Sequence, residues 1–383
     1  MEDRIRLFRP SFGDAEVEAL RQTLESQWVG RGPRSIEFEE RFAEYIGVEH
    51  AAALSSCTAA LHLALLCAEV EGQEVLTTSM TFVSSSEAIL LAGGRPVFCD
   101  VEPYTLNMSA EDLARKITPT TRAIVVTHYG GHSCDMDPIL ELARNHGLTV
   151  IEDAAHGAGG SYKGRKLGSL GDIACFSFQA TKNMTTGDGG MLVTNDAVIA
   201  DRVRKLRWCG IGIPTFERFQ PQELRRSWMY QVEEVGWKYE MTDISAALGI
   251  VQLAKLEANN DRRRQLLDRY REAFDHAEGI ELLVQRDYAL TAAYNAVIKC
   301  RRRDELYGCL DSQGIDSNVH YYPNHLFRIF RPYTTRLPVT EVVWQQILSI
   351  PLYADLTDTQ QDRVIESILA FDAAEADRVS AHG

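Results

Sequence analysis

The sequence lacks the long apolar runs, the paired cysteines and the excess of positive charge that mark several large classes of protein. No stretch of about 20 apolar residues is present, which argues against a membrane-spanning helix. The eight cysteines form no Cys-x-x-Cys pair, so we expect buried, reduced thiols and neither a metal site nor a disulfide framework. A net charge of −14, from 40 Lys and Arg against 54 Asp and Glu, disfavours binding to nucleic acid or to an anionic membrane.

What is present is ordinary globular composition, with 45% hydrophobic and 25% charged residues in 383. At roughly 150 residues per domain, this length predicts two or three domains, or one large and one small. The first residues, Met1 to Leu7, are rich in charge and contain no apolar signal core. We therefore expect a cytoplasmic protein.

Between about residues 50 and 200, helical and strand patterns alternate. Helices are predicted at 58–70, 83–92 and 137–146, and strands at 74–82, 96–101, 122–128, 148–153, 172–178 and 190–194. Strands that alternate with helices favour a mostly parallel sheet with helices on both faces. The nearly continuous apolar character of these strands is typical of strands buried on both sides.

Beyond residue 240 the pattern changes to long helices with few strands. Helices are predicted at 242–256, 261–277, 304–313, 339–348 and 358–370, with a strand at 294–300. This order predicts a smaller α+β domain, with its boundary near residues 240–280. The basic run within 261–277 is interpreted as a solvated helix face, since nucleic-acid binding is disfavoured by the overall charge.

The most informative stretch is 172–196, DIACFSFQATKNMTTGDGGMLVTND. A strand ends, Lys182 follows, and a glycine-rich turn leads into the next strand. A lysine at the carboxyl end of a strand lies where open α/β sheets bind their ligands. A surface lysine in a hairpin-like loop is the alternative that spacing alone leaves open.

Two further features lie at the same predicted edge of the sheet. Asp153 ends a buried apolar strand, so its carboxylate needs a partner such as a pyridinium nitrogen, unless it caps the following turn. Ser55, Ser56 and Thr58 precede a helix whose N-terminus is suited to a phosphate, unless they are plain helix caps. A lysine, a carboxylate and a helix N-terminus together are the set that pyridoxal phosphate requires.

At this point the sequence resembles the nucleotide-sugar aminotransferases (the DegT/DnrJ/StrS group) among the fold-type I pyridoxal-phosphate enzymes. The resemblance extends from about residue 7 to 371, and the string FSFxATKNxTTGxGG is highly specific. Matching stretches are 30–47, 55–65, 81–92, 95–107, 150–160, 172–196, 236–253, 320–326 and 348–356. The resemblance implies an aspartate aminotransferase-like fold, with a large cofactor-binding domain at 1–245 and a small α+β domain at 246–383.

The resemblance also implies roles for individual residues. Lys182 matches the family's Schiff-base lysine, and because some relatives carry His there and dehydrate sugars, Lys implies an aminotransferase. Asp153 matches the residue that faces the pyridine nitrogen, and His156 matches the position near the ring hydroxyl. The remaining cofactor residues are Phe82, which stacks on the ring, and the phosphate ligands Cys57, Thr58 and Ser177.

Substrate-binding residues are expected in two segments. Trp28 and Arg31 belong to a segment that lines the substrate entrance in relatives. His320, Tyr321 and Tyr322 match a loop near the sugar, although packing of an aromatic-rich loop is the alternative.

Two positions depart from the family pattern. Gln179 stands where many relatives have His, and Glu240 stands where many have an Asn that reaches the neighbouring subunit's cofactor phosphate. A carboxylate would repel that phosphate, so we expect Glu240 to turn away, or Lys238 or an arginine to replace the contact. His62 and His128 are interpreted as structural.

The resemblance implies a homodimer with shared active sites that moves an amino group from L-glutamate to a keto-deoxyhexose of a nucleoside-diphosphate sugar. Arg31, Arg34 and Lys163 are candidate holders of the diphosphate. An aminotransferase for a cyclitol or aminoglycoside ketone in antibiotic biosynthesis is the alternative. A non-catalytic cofactor-binding regulator is a third hypothesis, which the lysine, the carboxylate and the phosphate cradle disfavour.

Overall fold

The computed structural model describes residues 4–212 and 230–382, with side chains as far as residue 373. Its helices are α1 (Asp14–Glu25), α2 (Pro33–Ile46), α3 (Cys57–Cys67), α4 (Val83–Leu91), α5 (Ala110–Lys116), α6 (Met136–His146), α7 (Ala197–Leu206), α8 (Asp243–Ala254), α9 (Leu256–Phe274), α10 (Arg303–Ser312), α11 (Pro338–Val343) and α12 (Asp358–His382). Its strands are β1 (His50–Leu54), β2 (Glu74–Thr78), β3 (Arg95–Cys99), β4 (Thr121–Thr127), β5 (Thr149–Asp153), β6 (Ser161–Tyr162), β7 (Arg165–Lys166), β8 (Ile173–Ser177), β9 (Gly190–Thr194), β10 (Ile280–Leu282), β11 (Ala289–Leu290), β12 (Ala296–Cys300) and β13 (Ile347–Ile350).

The central sheet has seven strands in the order β1-β9-β8-β5-β4-β2-β3. Strands β2, β3, β4, β5 and β8 pair in parallel, whereas β9 is antiparallel to both of its neighbours. The predicted α/β class with a mostly parallel sheet is therefore confirmed.

Helices cover both faces of this sheet because successive strand residues point to opposite sides. On β4, Val125 packs with α3 and α4, whereas Ile124 and Val126 pack with α5 and α6. On β1, Ala52 faces the same side as Val125, and Ala53 packs with α2 on the other side. Both faces of the strands are thus buried, as their continuous apolar sequences predict.

The carboxyl ends of the parallel strands meet at one edge of the sheet. The chain leaves β2 toward Phe82, β5 ends at Asp153, and β8 ends at Ser177 just before the Lys182 turn. β1 runs in the same direction and leads into the N-terminus of α3 at Cys57. The topology therefore brings the predicted cofactor residues to a single edge.

A second, antiparallel sheet has the order β10-β12-β13 and packs against α9, α10 and α12. Its core includes Ile298 and Leu348, and it also takes in Ile5 from the beginning of the chain. Ile5 bridges in parallel to Ile315, which ties the N-terminal segment to this part of the molecule. The division at residues 245 and 246 stays a prediction.

Several predicted element bounds are wrong. The helix predicted at 339–348 ends at Val343, and Ile347–Ile350 instead forms a fully buried strand paired with β12. Pairing decides here, because a short apolar run fits a buried strand as well as a helix. The strand predicted at 74–82 ends at Thr78, helix α9 begins at Leu256, and α12 extends to His382.

The cysteines are all free, and five of the eight are buried, whereas Cys209 is exposed. Within the described ranges, no group of three or more His, Cys, Asp or Glu could hold a metal ion. No helix in this part of the chain combines the length and apolarity needed to cross a membrane.

Candidate active site

Lys182 lies in the turn between β8 and β9 and is half-buried. Its Nζ is 4.5 Å from the centre of the Tyr294 ring, and its backbone N–H donates to the Gln179 carbonyl at 2.9 Å. The next residue, Asn183, donates to Asn260 Oδ1 at 2.7 Å and to the Ala292 carbonyl at 2.6 Å. Hydrogen bonds on both sides of Lys182 therefore fix the turn. A loop that presents a lysine to solvent would not need these contacts.

Asp153 is the last residue of β5 and is only 3% exposed. Its Oδ2 accepts a hydrogen bond from Ser85 Oγ at 2.5 Å, and its Oδ1 accepts one from the Ala155 N–H at 3.2 Å. The second bond is the turn-capping contact that the sequence left open. Among the residues that the structure describes, no cation pairs with this carboxylate. A buried carboxylate of this kind favours a positively charged ligand group.

His156 lies between two tyrosines close to Lys182. Its ring stacks on Tyr294 with centroids 4.0 Å apart, and its Nε2 lies 3.0 Å from the Tyr321 hydroxyl. Burial, and then the charge of Lys182, lower the pKa of His156 well below its ordinary value. The imidazole is therefore neutral, and its buried Nδ1 has no hydrogen-bond partner among the described residues.

The N-terminus of α3 forms a candidate phosphate cradle. Ser56 caps the helix by accepting from the Ala59 N–H at 3.1 Å, which realises the plain-cap interpretation for this residue. The N–H groups of Cys57 and Thr58 lie in the first turn, where no intrahelical acceptor is available. Ser177 pairs with Gly190, and a Cβ on Gly190 would lie 2.5 Å from the Cys57 nitrogen. Ser177 therefore lies beside the cradle, because its strand partner Gly190 packs closely against the backbone at the start of α3.

Phe82 and the segment after Asn318 form an aromatic wall of the site. Phe82 is 56% exposed, and its ring centre is 6.2 Å from that of Tyr321. His320 Nδ1 lies 2.8 Å from Ser349 Oγ, and burial followed by the charge of Lys182 lowers the pKa of His320 to about 4. The structure thus brings His320 and Tyr321 to Lys182.

Tyr322 points elsewhere, because its ring packs on Phe327 and Trp344 at 5.1 Å each. This contact agrees with the packing alternative for that residue. Tyr322 is 43% exposed. A substrate role for it would require that exposed face.

Trp28 and Arg31 lie in the segment between α1 and α2. Trp28 Nε1 donates to the Arg31 carbonyl at 3.0 Å. Arg31 pairs with Glu39 at 3.4 Å, and the same carboxylate pairs with the buried Arg207 at 2.5 Å. Arg31 is therefore already partly neutralised, which weakens its case as a diphosphate holder.

The other two proposed diphosphate holders also face carboxylates. Arg34 pairs with Glu37 at 3.1 Å, and Lys163 pairs with Asp137 at 2.5 Å on the surface. Surface pairs of this kind are weak and can be exchanged for a ligand.

The two departures from the family pattern have distinct environments. Glu240 pairs with Lys238 at 2.8 Å and bridges to Leu54, directly before the α3 cradle. A neutralised Glu240 repels a nearby phosphate less than a free one. Gln179 is exposed, and its Oε1 accepts from the Thr181 N–H at 2.9 Å.

Two contributors were not identified from the sequence. Tyr294 stacks on His156 and lies under Lys182, yet it belongs to a predicted strand far along the chain. Ser85 lies in the matching stretch 81–92, but nothing in that stretch shows that it faces Asp153. The four-residue spacing of Thr81 and Ser85 indicates that their hydroxyl groups can meet, but it does not indicate a contact with Asp153.

The two histidines interpreted as structural have interior partners. His128 Nε2 lies 2.9 Å from Glu152, and both side chains are fully buried. His62 packs edge-on against Trp237, with ring centres 4.7 Å apart.

Comparison with known proteins agrees with this geometry. The model of the DegT/DnrJ/EryC1/StrS aminotransferase family matches residues 10–369. The spore coat polysaccharide biosynthesis protein SpsC of Bacillus subtilis is 39% identical over 371 residues, which cover 94% of this chain and 95% of that protein.

Solved structures of similar proteins have the same overall fold as this chain. The sugar aminotransferase CalS13 of Micromonospora echinospora has a TM-score of 0.88 and 30% identity, covering 96% of this chain and 99% of that one. Spr1654 of Streptococcus pneumoniae, solved in a PLP form, has a TM-score of 0.88 and 27% identity, covering 97% and 99%. Pyridoxal phosphate is the cofactor of this family. The chain belongs to the DegT/DnrJ/EryC1/StrS aminotransferase family and is a transaminase.

Proposed function

We propose that the protein uses pyridoxal phosphate to transfer an amino group from L-glutamate to a keto-deoxyhexose carried by a nucleoside diphosphate. The observation that carries this proposal is the convergence of Lys182, Asp153 and the N-terminus of α3 at one edge of the sheet. Family membership supports the reaction class, and the sugar acceptor is supported by relatives such as CalS13 and SpsC.

The residues present fit the cofactor. The Asp153 carboxylate is buried without a cationic partner in the described ranges, as a site for a protonated ring nitrogen requires. His156 Nδ1 is buried and has no partner in the part of the chain that the structure describes, which suits a contact to the ring hydroxyl. The first turn of α3 and Ser177 offer N–H and O–H donors to a phosphate.

When bound, the cofactor supplies an electron sink for the carbanion formed at the carbon that gains or loses nitrogen. Lys182 then holds and moves the proton at that carbon, acting as general base and general acid. Asp153 would hold the ring nitrogen in its protonated form through its negative charge, and Phe82 would supply an aromatic face for the ring to pack on. Neutral His156 would contact the ring without adding a positive charge.

The substrate is proposed to enter past Trp28 and Arg31 and to contact His320 and Tyr321. The overall charge of −14 does not attract a nucleoside diphosphate, so local cations must hold it. Arg34 and Lys163 are the better candidates, since their carboxylate partners are exposed or partly exposed. Alanine substitution at both positions should raise the KM for the sugar nucleotide about tenfold and leave the KM for glutamate unchanged.

The first experiment is the visible absorption spectrum of the purified protein before and after L-glutamate is added. A yellow band that bleaches with glutamate establishes the first half of the reaction. Keto-sugars and ketocyclitols are then screened for recovery of the band. Recovery with a cyclitol, and no binding of nucleoside diphosphates, would replace the proposed acceptor. A protein that takes up no pyridoxal phosphate would overturn the proposal altogether.

A homodimer with shared active sites is also proposed, on the basis of the family resemblance. Light scattering coupled to gel filtration should give twice the chain mass of 42.9 kDa. A mass of 42.9 kDa at micromolar concentration would exclude a site shared between subunits.

A further inference from the structure

A row of buried hydroxyl groups leads from the neighbouring strands to the Asp153 carboxylate. Thr127 Oγ1 lies 3.4 Å from Thr81 Oγ1, Thr81 Oγ1 lies 3.0 Å from Ser85 Oγ, and Ser85 Oγ lies 2.5 Å from Asp153 Oδ2. The four side chains are between 1% and 3% exposed. We refer to Thr127, Thr81 and Ser85 as the hydroxyl chain.

The direction of the hydroxyl chain follows from the number of protons available. An ionised carboxylate only accepts hydrogen bonds, so the single proton of Ser85 is committed to Asp153. The Ser85 oxygen then accepts from Thr81, and the Thr81 oxygen accepts from Thr127. Each donor therefore points toward the carboxylate, which polarises the chain in favour of its negative charge.

Two thiols and a phenol lie beside Asp153, and none of them is charged. Burial raises the pKa of the Cys57 and Cys175 thiols and of the Tyr321 phenol well above their ordinary values, so all three stay neutral. Lys182 acts electrostatically on Cys57 and His156, and it forms no ion pair with Asp153. Apart from the Ala155 N–H, the described hydrogen bonds to this carboxylate come from the hydroxyl chain alone.

We infer that Ser85 is a positioning residue that keeps the Asp153 carboxylate ionised and aimed at the ring nitrogen of pyridoxal phosphate, with Thr81 and Thr127 fixing its direction. The inference rests on the proposed function. Hydrogen bonds donated to a carboxylate favour its charged form, and a buried charge-assisted bond is among the stronger ones. Without the Ser85 hydroxyl, the proton shared with the ring nitrogen should move toward the carboxylate.

The test compares two neighbouring serines of α4. Ser85→Ala removes the bond to Asp153, whereas Ser86→Ala removes an equally buried hydroxyl that accepts from Asn324 Nδ2 at 2.9 Å. Each apoprotein is titrated with pyridoxal phosphate and followed by absorbance. Ser85→Ala should weaken binding about tenfold, and Ser86→Ala should stay within about twofold of the wild type.

A second readout separates positioning from mere packing. With the ring nitrogen of pyridoxal phosphate labelled with ¹⁵N, its NMR shift reports protonation directly. The wild type and Ser86→Ala should show a protonated ring nitrogen, and Ser85→Ala should show a shift toward the unprotonated value. Thr81→Val interrupts the hydroxyl chain one step earlier and should give an intermediate shift, which keeps the test available if Ser85→Ala does not fold.

Equal affinities and equal ¹⁵N shifts for Ser85→Ala, Thr81→Val and the wild type would overturn the inference. That result differs from a wild-type protein that binds no pyridoxal phosphate, which would overturn the proposed function and this inference together. Thermal unfolding of each apoprotein shows that the variants compared are folded.

Discussion

At the scale of single residues, the proposed chemistry depends most on Lys182. Its side chain is half-buried and its turn is held by Asn183, so Lys182→Ala should fold normally. Loss of the proton-transferring amine should lower the transamination rate by a factor on the order of 10²–10⁴ or more. Lys205→Ala, which removes a surface lysine paired with Glu233, is the matched control. A Lys182→Ala protein with near-normal turnover would remove this residue from the mechanism.

Tyr294 is the second residue for which the structure makes a specific prediction. Its ring stacks on His156 and lies beneath Lys182, whereas its hydroxyl has one contact among the described residues, with Thr181 at 3.4 Å. Tyr294→Phe should therefore keep the affinity for pyridoxal phosphate. Tyr294→Leu should weaken it several-fold, because a stacked pair is worth about 0.5–1.5 kcal/mol beyond the area it buries. Absorbance titration measures both, and equal affinities for the two variants would contradict a role for the ring.

At the scale of elements, the start of α2 is held by a residue from another helix. Gly32 is the N-cap and has no side chain that could accept a hydrogen bond, so Asp243 of α8 accepts from the N–H groups of Gly32, Arg34 and Ser35 at 2.7–3.0 Å. A Cβ on Gly32 would overlap the Trp28 ring and lie 2.9 Å from Asp243 Oδ2. Glycine is therefore required where the two helices and the proposed entrance meet.

Removal of this cap should destabilise the fold. Asp243→Ala leaves three N–H groups, two buried and one partly buried, without their acceptor and should lower the free energy of unfolding by about 2–3 kcal/mol. Asp261→Ala removes an exposed carboxylate paired with Arg264 and should cost less than about 1 kcal/mol. Urea denaturation of the apoproteins gives both values. Similar values for the two variants would show that the cap does not stabilise α2.

Helices and strands are predictable from the sequence where a local pattern determines them. They are less predictable where pairing with a strand distant in the sequence determines whether a segment is a helix or a strand. The strand ending at Asp153 and the helix after Ser56 follow from apolar runs and capping residues. By contrast, Ile347–Ile350 becomes a strand only because β12 lies beside it. The contacts of Tyr294 and Ser85 likewise depend on how separate elements pack, which spacing along the chain does not encode.

At the scale of the whole molecule, the resemblance and the topology supply different information. The family resemblance gives the reaction class, whereas the sheet order explains why residues as distant in sequence as Cys57, Asp153 and Lys182 share one edge. The same arrangement brings the Tyr294 and His320 segments against that edge from the other part of the chain. Affinity for the cofactor and stability of the fold are therefore coupled, since both depend on these contacts.

Buried, neutral histidines make the stability of the fold depend on pH. His132 donates from Nδ1 to the Ser133 carbonyl at 2.8 Å and accepts at Nε2 from the Arg286 N–H at 2.8 Å, which requires the uncharged ring. Burial lowers its pKa from 6.5 to about 4. Below pH 6.5 the unfolded chain takes up a proton that the folded chain refuses until about pH 4, so stability is full above this range and is lost as the pH falls through it.

The predicted loss from His132 alone is about 2 kcal/mol between about pH 7.5 and pH 5. His132→Gln cannot take up this proton, so its unfolding free energy should fall less over the same interval, by about that amount. The starting stability of the variant does not matter, because the measurement is the difference between the two pH values in urea denaturation of each apoprotein. His320 shares the lowered pKa and should account for part of the fall that remains in His132→Gln. If the wild type and His132→Gln lose the same free energy on acidification, His132 is protonated in the folded protein and its Nε2 does not accept from the Arg286 N–H.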